Sequence, residues 1–103
     1  MDRRLVLLAP EDNCIVVVRA LAPGERVEVD GVAFVVDSTI AIGHKLARRM
    51  IEENEKVIKY GAVIGHASVA IAAGAHIHNH NLVSDYIPTQ VPAGGSPTAT
   101  VLA

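Results

Sequence analysis

Histidines stand at positions 76, 78 and 80 in the stretch Gly74-Ala-His-Ile-His-Asn-His-Asn81, three of the five in the chain. Alternate side chains of an extended strand share a face and lie about 6.6 to 6.8 Å apart along it. His76, His78 and His80 are therefore expected to project together, with Ile77 and Asn79 on the reverse. Imidazoles in a row can ligate a divalent metal, hold an anion such as a carboxylate, or move protons near neutral pH. Two of them can tilt onto one ion, but three on a straight strand converge poorly. A metal here calls for further ligands, carboxylates or groups from another chain. The competing reading is a solvated strand face that merely carries histidine. It weighs more for His44 and His66, each directly after a glycine at a turn. Lys45, beside His44, can hold a carboxylate or pair with an acidic residue. Cys14 reads as a small buried hydrophobe.

The elements that must position these groups are short. Four segments repeat one local pattern: Leu21-Ala-Pro-Gly24-Glu-Arg-Val27, Ile40-Ala-Ile-Gly43-His-Lys-Leu46, Ile51-Glu-Glu-Asn54-Glu-Lys-Val57 and Ile71-Ala-Ala-Gly74-Ala-His-Ile77. The fourth residue is Gly or Asn, the types that most readily take positive φ, so each segment predicts a tight corner leading into a strand. Their irregular spacing excludes a solenoid. Arg4 to Leu8 and Cys14 to Ala20 predict strands joined by a turn at 10–13. Asp30-Gly31 between valine-rich runs predicts a two-residue hairpin. Further strands are expected at 57–60, 62–64 and 76–82. Residues 44–53 fit either a helix or a strand, and the corners at Gly43 and Asn54 favour the strand. The Pro- and Gly-rich segment 84–103 reads as an extended arm or linker after a domain at 1–83.

Composition narrows the classes further. Half of the 103 residues are hydrophobic, nearly all of them aliphatic, with no Trp, one Phe and two Tyr. Abundant β-branched residues favour strands, so a small, mainly β domain is expected. A net charge of −2 without a basic, aromatic-rich patch gives no footprint for nucleic acid. No apolar run approaches the roughly 20 residues of a membrane span. The single Cys14 excludes an internal disulfide. A soluble, cytoplasmic protein is the expectation, and unpaired β edges make a homo-oligomer plausible.

Four stretches together resemble a known family: Asp12-Asn-Cys-Ile15, Ile42-Gly-His-Lys45, Lys56-Val-Ile-Lys-Tyr-Gly-Ala-Val-Ile-Gly65 and Gly74-Ala-His-Ile-His-Asn-His-Asn-Leu82. Over roughly residues 5–82 the chain is similar to the small SAF-type module of altronate/galactarate dehydratases, a group that also includes the small subunit of sulfolactate sulfo-lyase. Asn54 stands where that family commonly has Gly. The resemblance implies a β-clip fold, hydro-lyase chemistry on a sugar acid, and a divalent Fe2+ or Mn2+. It implies a small subunit or N-terminal domain that lends one wall to a site completed by a large catalytic subunit or domain. On that reading His76 and His78 are the catalytic candidates and His76, His78 and His80 the metal candidates. His44, Lys45, His80 and Asn81 are the substrate-contact candidates, and the catalytic base lies in the large partner. A non-catalytic sugar-acid-binding or assembly module is the alternative, and a free-standing metal-binding β protein ranks third.

Overall fold

In the computed structural model, which describes residues 2–85, the apolar runs form short strands: β1 (Leu5–Val6), β2 (Cys14–Val17), β3 (Arg26–Val29), β4 (Val32–Val35), β5 (Lys45–Ala47), β6 (Lys56–Lys59), β7 (Ala62–Ala67), β8 (His76–Ile77) and β9 (Leu82–Ser84). An antiparallel sheet in the order β1-β2-β5-β8 forms the centre. The β3–β4 hairpin and the three strands β6-β7-β9 make separate small sheets. No helix occurs among the described residues, so the ambiguous stretch 44–53 resolves as strand, though only over Lys45–Ala47. The expected arm at 84–103 lies, beyond Asp85, outside the described residues.

Each of the four corners closes in the same way. The fifth residue donates its N–H to the carbonyl of the second: Glu25 to Ala22, His44 to Ala41, Glu55 to Glu52 and Ala75 to Ala72. The fourth residue has positive φ in every case, from 69° at Asn54 to 89° at Gly43. Its N–H donates to a facing segment, Gly24 to Val36, Gly43 to Val17, Asn54 to Ala67 and Gly74 to Ala47. The buried first residues then pair two by two, Leu21 with Ile40 and Ile51 with Ile71. The result is two similar halves thirty residues apart (Leu21 and Ile51, Gly24 and Asn54, Val27 and Val57). Each half carries one hairpin whose two turn residues both have positive φ, Asp30-Gly31 and Tyr60-Gly61. That is the backbone a two-residue hairpin with the native strand twist requires.

The two halves bury separate apolar clusters, one with Leu21, Val27, Ile40 and Leu46 at its heart, the other with Ile51, Val57, Ile71 and Ile77. Strand alternation lets the central β5 serve both: Leu46 belongs to the first cluster and Ala47 to the second. The clusters therefore lie on opposite faces of one sheet, and β5 is buried throughout.

Two buried polar residues hold the second hairpin to the N-terminal segment. Asp12 accepts from the N–H groups of Ala9 (3.1 Å), Tyr60 (2.7 Å) and Gly61 (2.8 Å). Positive φ is unfavourable for a residue as bulky as tyrosine, and these bonds hold Tyr60 there. The Asn13 amide covers the open edge of β6, donating to the Lys56 carbonyl (2.8 Å) and accepting from the Ile58 N–H (2.7 Å). Both polar groups are thus satisfied inside the fold.

One strand expectation fails. The chain is extended at His76–Ile77, turns through 78–81 and resumes in β9. The cause is the Asn81 side chain, which accepts from the His78 N–H (2.9 Å) and donates to the His76 carbonyl (2.8 Å). The main-chain N–H groups of Asn81 and Leu82 both donate to the His78 carbonyl. A short amide side chain of this kind offers the backbone a turn in place of a ladder.

Gly43 and Gly74 occupy equivalent corners but differ in surroundings. A Cβ at Gly43 meets nothing within 4 Å, whereas one at Gly74 runs into the Phe34 ring. Gly43→Ala is expected to destabilise by about 1 to 2 kcal/mol through its left-handed backbone alone. Gly74→Ala adds a steric clash worth about 1 to 3 kcal/mol more. Urea unfolding of both variants measures the difference, and equal losses contradict the Phe34 contact.

Candidate functional site

The second corner delivers His44 to the start of β5, and the fourth delivers His76 to β8. These strands pair antiparallel, Lys45 opposite Ile77 and Leu46 opposite His76, which sets His44 across from His78 one step further along. The strands that follow the equivalent corners at Gly43 and Gly74 therefore lie side by side. His44 and His78 stack with ring centroids 4.1 Å apart and 19° between planes. On the diagonal, His44 Nδ1 lies 2.9 Å from His76 Nε2, so one of these nitrogens carries a proton and the other accepts it. The His76 and His78 rings are nearly parallel, 5.6 Å apart.

Among the described residues, His44, His76 and His78 form a group whose donor nitrogens all lie within 4.8 Å of one another. The three imidazoles expected to act from one face were His76, His78 and His80. The turn at 78–81 moves His80 off the strand, beside the group, its ring 5.5 Å from His76 and tilted by 49°. His44 takes the third place instead. The third imidazole of the group thus comes from a paired strand.

Burial acts first on the electrostatics of the group. It pushes His76 down to about 4, helped by positive charge at His44, His80, His78 and Lys45. His78 is lowered by burial and by His44, Lys45 and His80. Each added proton opposes the next, so His76 and His78 are neutral at pH 7 and keep lone pairs available. Neutral imidazole is the form that ligates a metal or accepts a proton.

The remaining site candidates fall elsewhere. Lys45 is only 1% exposed, and alternation along β5 sends it off the face opposite to Leu46 and His76. Burial lowers its pKa, Lys59 lowers it further and Cys14 opposes the shift. Cys14 is buried as expected, its thiol pushed up to about 11 chiefly by burial. Asn81 spends its amide on the turn and serves to hold His76 and His78 in place. His66 lies on β7, its Nδ1 2.7 Å from Asp85 Oδ1, and does not join the group. Sequence reading passed over Asp12 and Asn13 as turn formers. Nothing local in the sequence marks them, because their partners on β6 and its turn lie 43 to 49 residues away.

A family model described as the altronate/galactarate dehydratase SAF domain matches residues 3–85. The altronate dehydratase of Bacillus subtilis (strain 168) is 40% identical over 79 residues, covering 77% of this chain and 16% of that protein. The altronate dehydratase of Escherichia coli (strain K12) is 44% identical over 70 residues, covering 68% of this chain and 14% of that protein. The (2R)-sulfolactate sulfo-lyase subunit alpha of Chromohalobacter salexigens is 49% identical over 49 residues, covering 48% of this chain and 52% of that subunit. The chain therefore spans a small part of the two dehydratases and about half of the sulfo-lyase subunit.

The lowered His76 pKa fixes the sign of a stability change. Between about 4 and the ordinary histidine value of 6.5 the unfolded chain binds the proton and the folded chain does not. Stability conferred by the neutral ring is complete above 6.5 and is lost as pH falls toward 4. Partial solvation of the ring reduces the effect to about 1 to 2 kcal/mol. Denaturation at pH 7.0 and 4.5 is expected to show this loss in the wild type and a smaller one in His76→Gln. An identical pH dependence in the two proteins contradicts the assignment.

Proposed function

The chain belongs to the altronate/galactarate dehydratase SAF-domain family, and on that footing we propose that it is the small histidine-bearing part of a hydro-lyase acting on a hydroxy acid. The observation that carries this reading is the convergence of His44, His76 and His78 from two paired strands. The relatives bearing the name altronate dehydratase are several times longer than the matched segment, which supports a large catalytic subunit or domain as its partner. The short sulfo-lyase subunit is the precedent for a separate chain.

The donor set fits a divalent metal. His44, His76 and His78 each offer one ring nitrogen, all within 4.8 Å of one another, a donor set of the kind a divalent ion takes. Imidazole-only donors suit Fe2+ better than Mn2+, which favours carboxylate oxygen. When bound, the ion supplies a Lewis acid and a template for a carboxylate and its neighbouring hydroxyl. His44, His76 and His78 would hold that position, and Asn81 fixes the main chain between two of them. His80, exposed beside His76, is free to rotate toward a substrate oxygen and donate a hydrogen bond.

Dehydration of a hydroxy acid removes the proton next to the carboxylate and the hydroxyl on the following carbon. The enol that forms tautomerises to a 2-keto-3-deoxy acid. Histidines committed to a metal are poor bases for the first step, so the proton acceptor belongs to the large partner. The small domain holds and orients, and the partner encloses the site and excludes water.

Two measurements test this. Anaerobic calorimetric titration of the chain with Fe2+ is expected to lose at least about tenfold in affinity on His44→Ala or His78→Ala, and less than about threefold on His80→Ala. A larger loss at His80 than at His44 overturns the ligand set. In the complete enzyme, His78→Ala is expected to lower kcat by about 100-fold or more. A raised KM with unchanged kcat favours the second reading, a sugar-acid-binding or assembly module whose histidines only dock the ligand.

A further inference from the structure

A cavity of about 530 Å3 adjoins the imidazole group and shares His76 with it. Its size falls in the range of small-molecule sites. One side is the end of β4 and the residues after it, from Phe34 to Ser38; another is the fourth corner, Ala70 to Ala75. Phe34 packs against Gly74 and so joins the two sides, while Ile40 and Leu46 contribute buried apolar surface.

The polar side chains fall into two groups. His76 and His80 bring imidazole donors from β8 and its turn. Asp37 and Ser38 bring a carboxylate and a hydroxyl from the connector between β4 and Ile40. Asn81 also lines the space, but its amide is bonded to the main chain of His76 and His78. Small alanines between these groups leave the cavity wide.

We propose that this cavity binds an open-chain hydroxy acid with a single carboxylate, and that Asp37 selects against diacids. The carboxylate end sits at His76 and His80, where imidazole N–H groups can donate to it. The hydroxylated tail lies along Asp37 and Ser38, since a carboxylate is an acceptor for hydroxyl groups. A second carboxylate at the far end of the ligand faces Asp37 and is repelled. The proposal rests on the reading above that the imidazole group faces a hydroxy acid, and it adds which kind.

The test uses the 15N-labelled 103-residue chain at pH 7.5 with two six-carbon probes, D-gluconate with one carboxylate and galactarate with two. Amide shifts at Ser38, Ala72 and Ala73 report the cavity. Wild type is expected to bind gluconate about three- to tenfold more tightly than galactarate, the size of one like-charge contact partly screened by water. Asp37→Asn is expected to bring the two within about twofold; Asp37 is exposed, and unchanged shifts elsewhere show that the fold persists. Equal affinities in the wild type, selectivity unchanged by Asp37→Asn, or an absence of shifts at the cavity amides each overturn the proposal. Selective binding alongside a complete enzyme inactive on hydroxy acids removes the hydro-lyase reading and leaves the cavity assignment standing. Turnover with unselective binding does the reverse.

Discussion

Gly74 donates its N–H to the Ala47 carbonyl, and Ala47 returns its own N–H to the carbonyl of Ala75. These two bonds fasten the fourth corner to β5 and set the register that places Leu46 opposite His76. A slip of one residue turns every side chain of a strand to the other face. Here that would carry His76 into the space of Ile77 and expose an isoleucine that is otherwise fully buried. The apolar cluster around Ile77 therefore fixes the histidine face as firmly as any contact among the histidines themselves.

That constraint is written twice. The corners at Gly24 and Gly43 and those at Asn54 and Gly74 make the same bonds about thirty residues apart, and each pair carries a hairpin with two positive-φ turn residues. The halves differ in what they were given to do. Lys45, two residues past Gly43, is buried between strands, while His76, two past Gly74, opens to the surface and the neighbouring cavity. Asp12 and Asn13 lock the second hairpin down through four hydrogen bonds to its main-chain groups. The imidazole group draws on both halves, His44 from the corner at Gly43 and His76 and His78 from the corner at Gly74.

The imidazole group is electrostatically crowded. Burial and mutual repulsion hold His76 and His78 neutral, and every charge that acts on them from nearby is positive. Such a group gains by binding something that shares its lone pairs or supplies negative charge. A divalent ion would do the first and a carboxylate the second.

Local chemistry was legible in the sequence. Gly and Asn at the fourth place of each corner, Asp30-Gly31 between valines and the β-branched runs all announced a small domain of short strands, because turn backbone is decided by the residues that occupy it. The motifs from Asp12 to Leu82 also carried the family. The site's membership was not legible in the same way. His80 looked equivalent to His76 and His78 by alternation, and only the Asn81 side chain, bonding back to residues 76 and 78, breaks the strand and turns His80 aside. His44 and His78 are 34 residues apart, and their stacking follows from cross-strand register. Register depends on which distant apolar faces bury together, a property of the assembled cores that no single stretch of sequence contains.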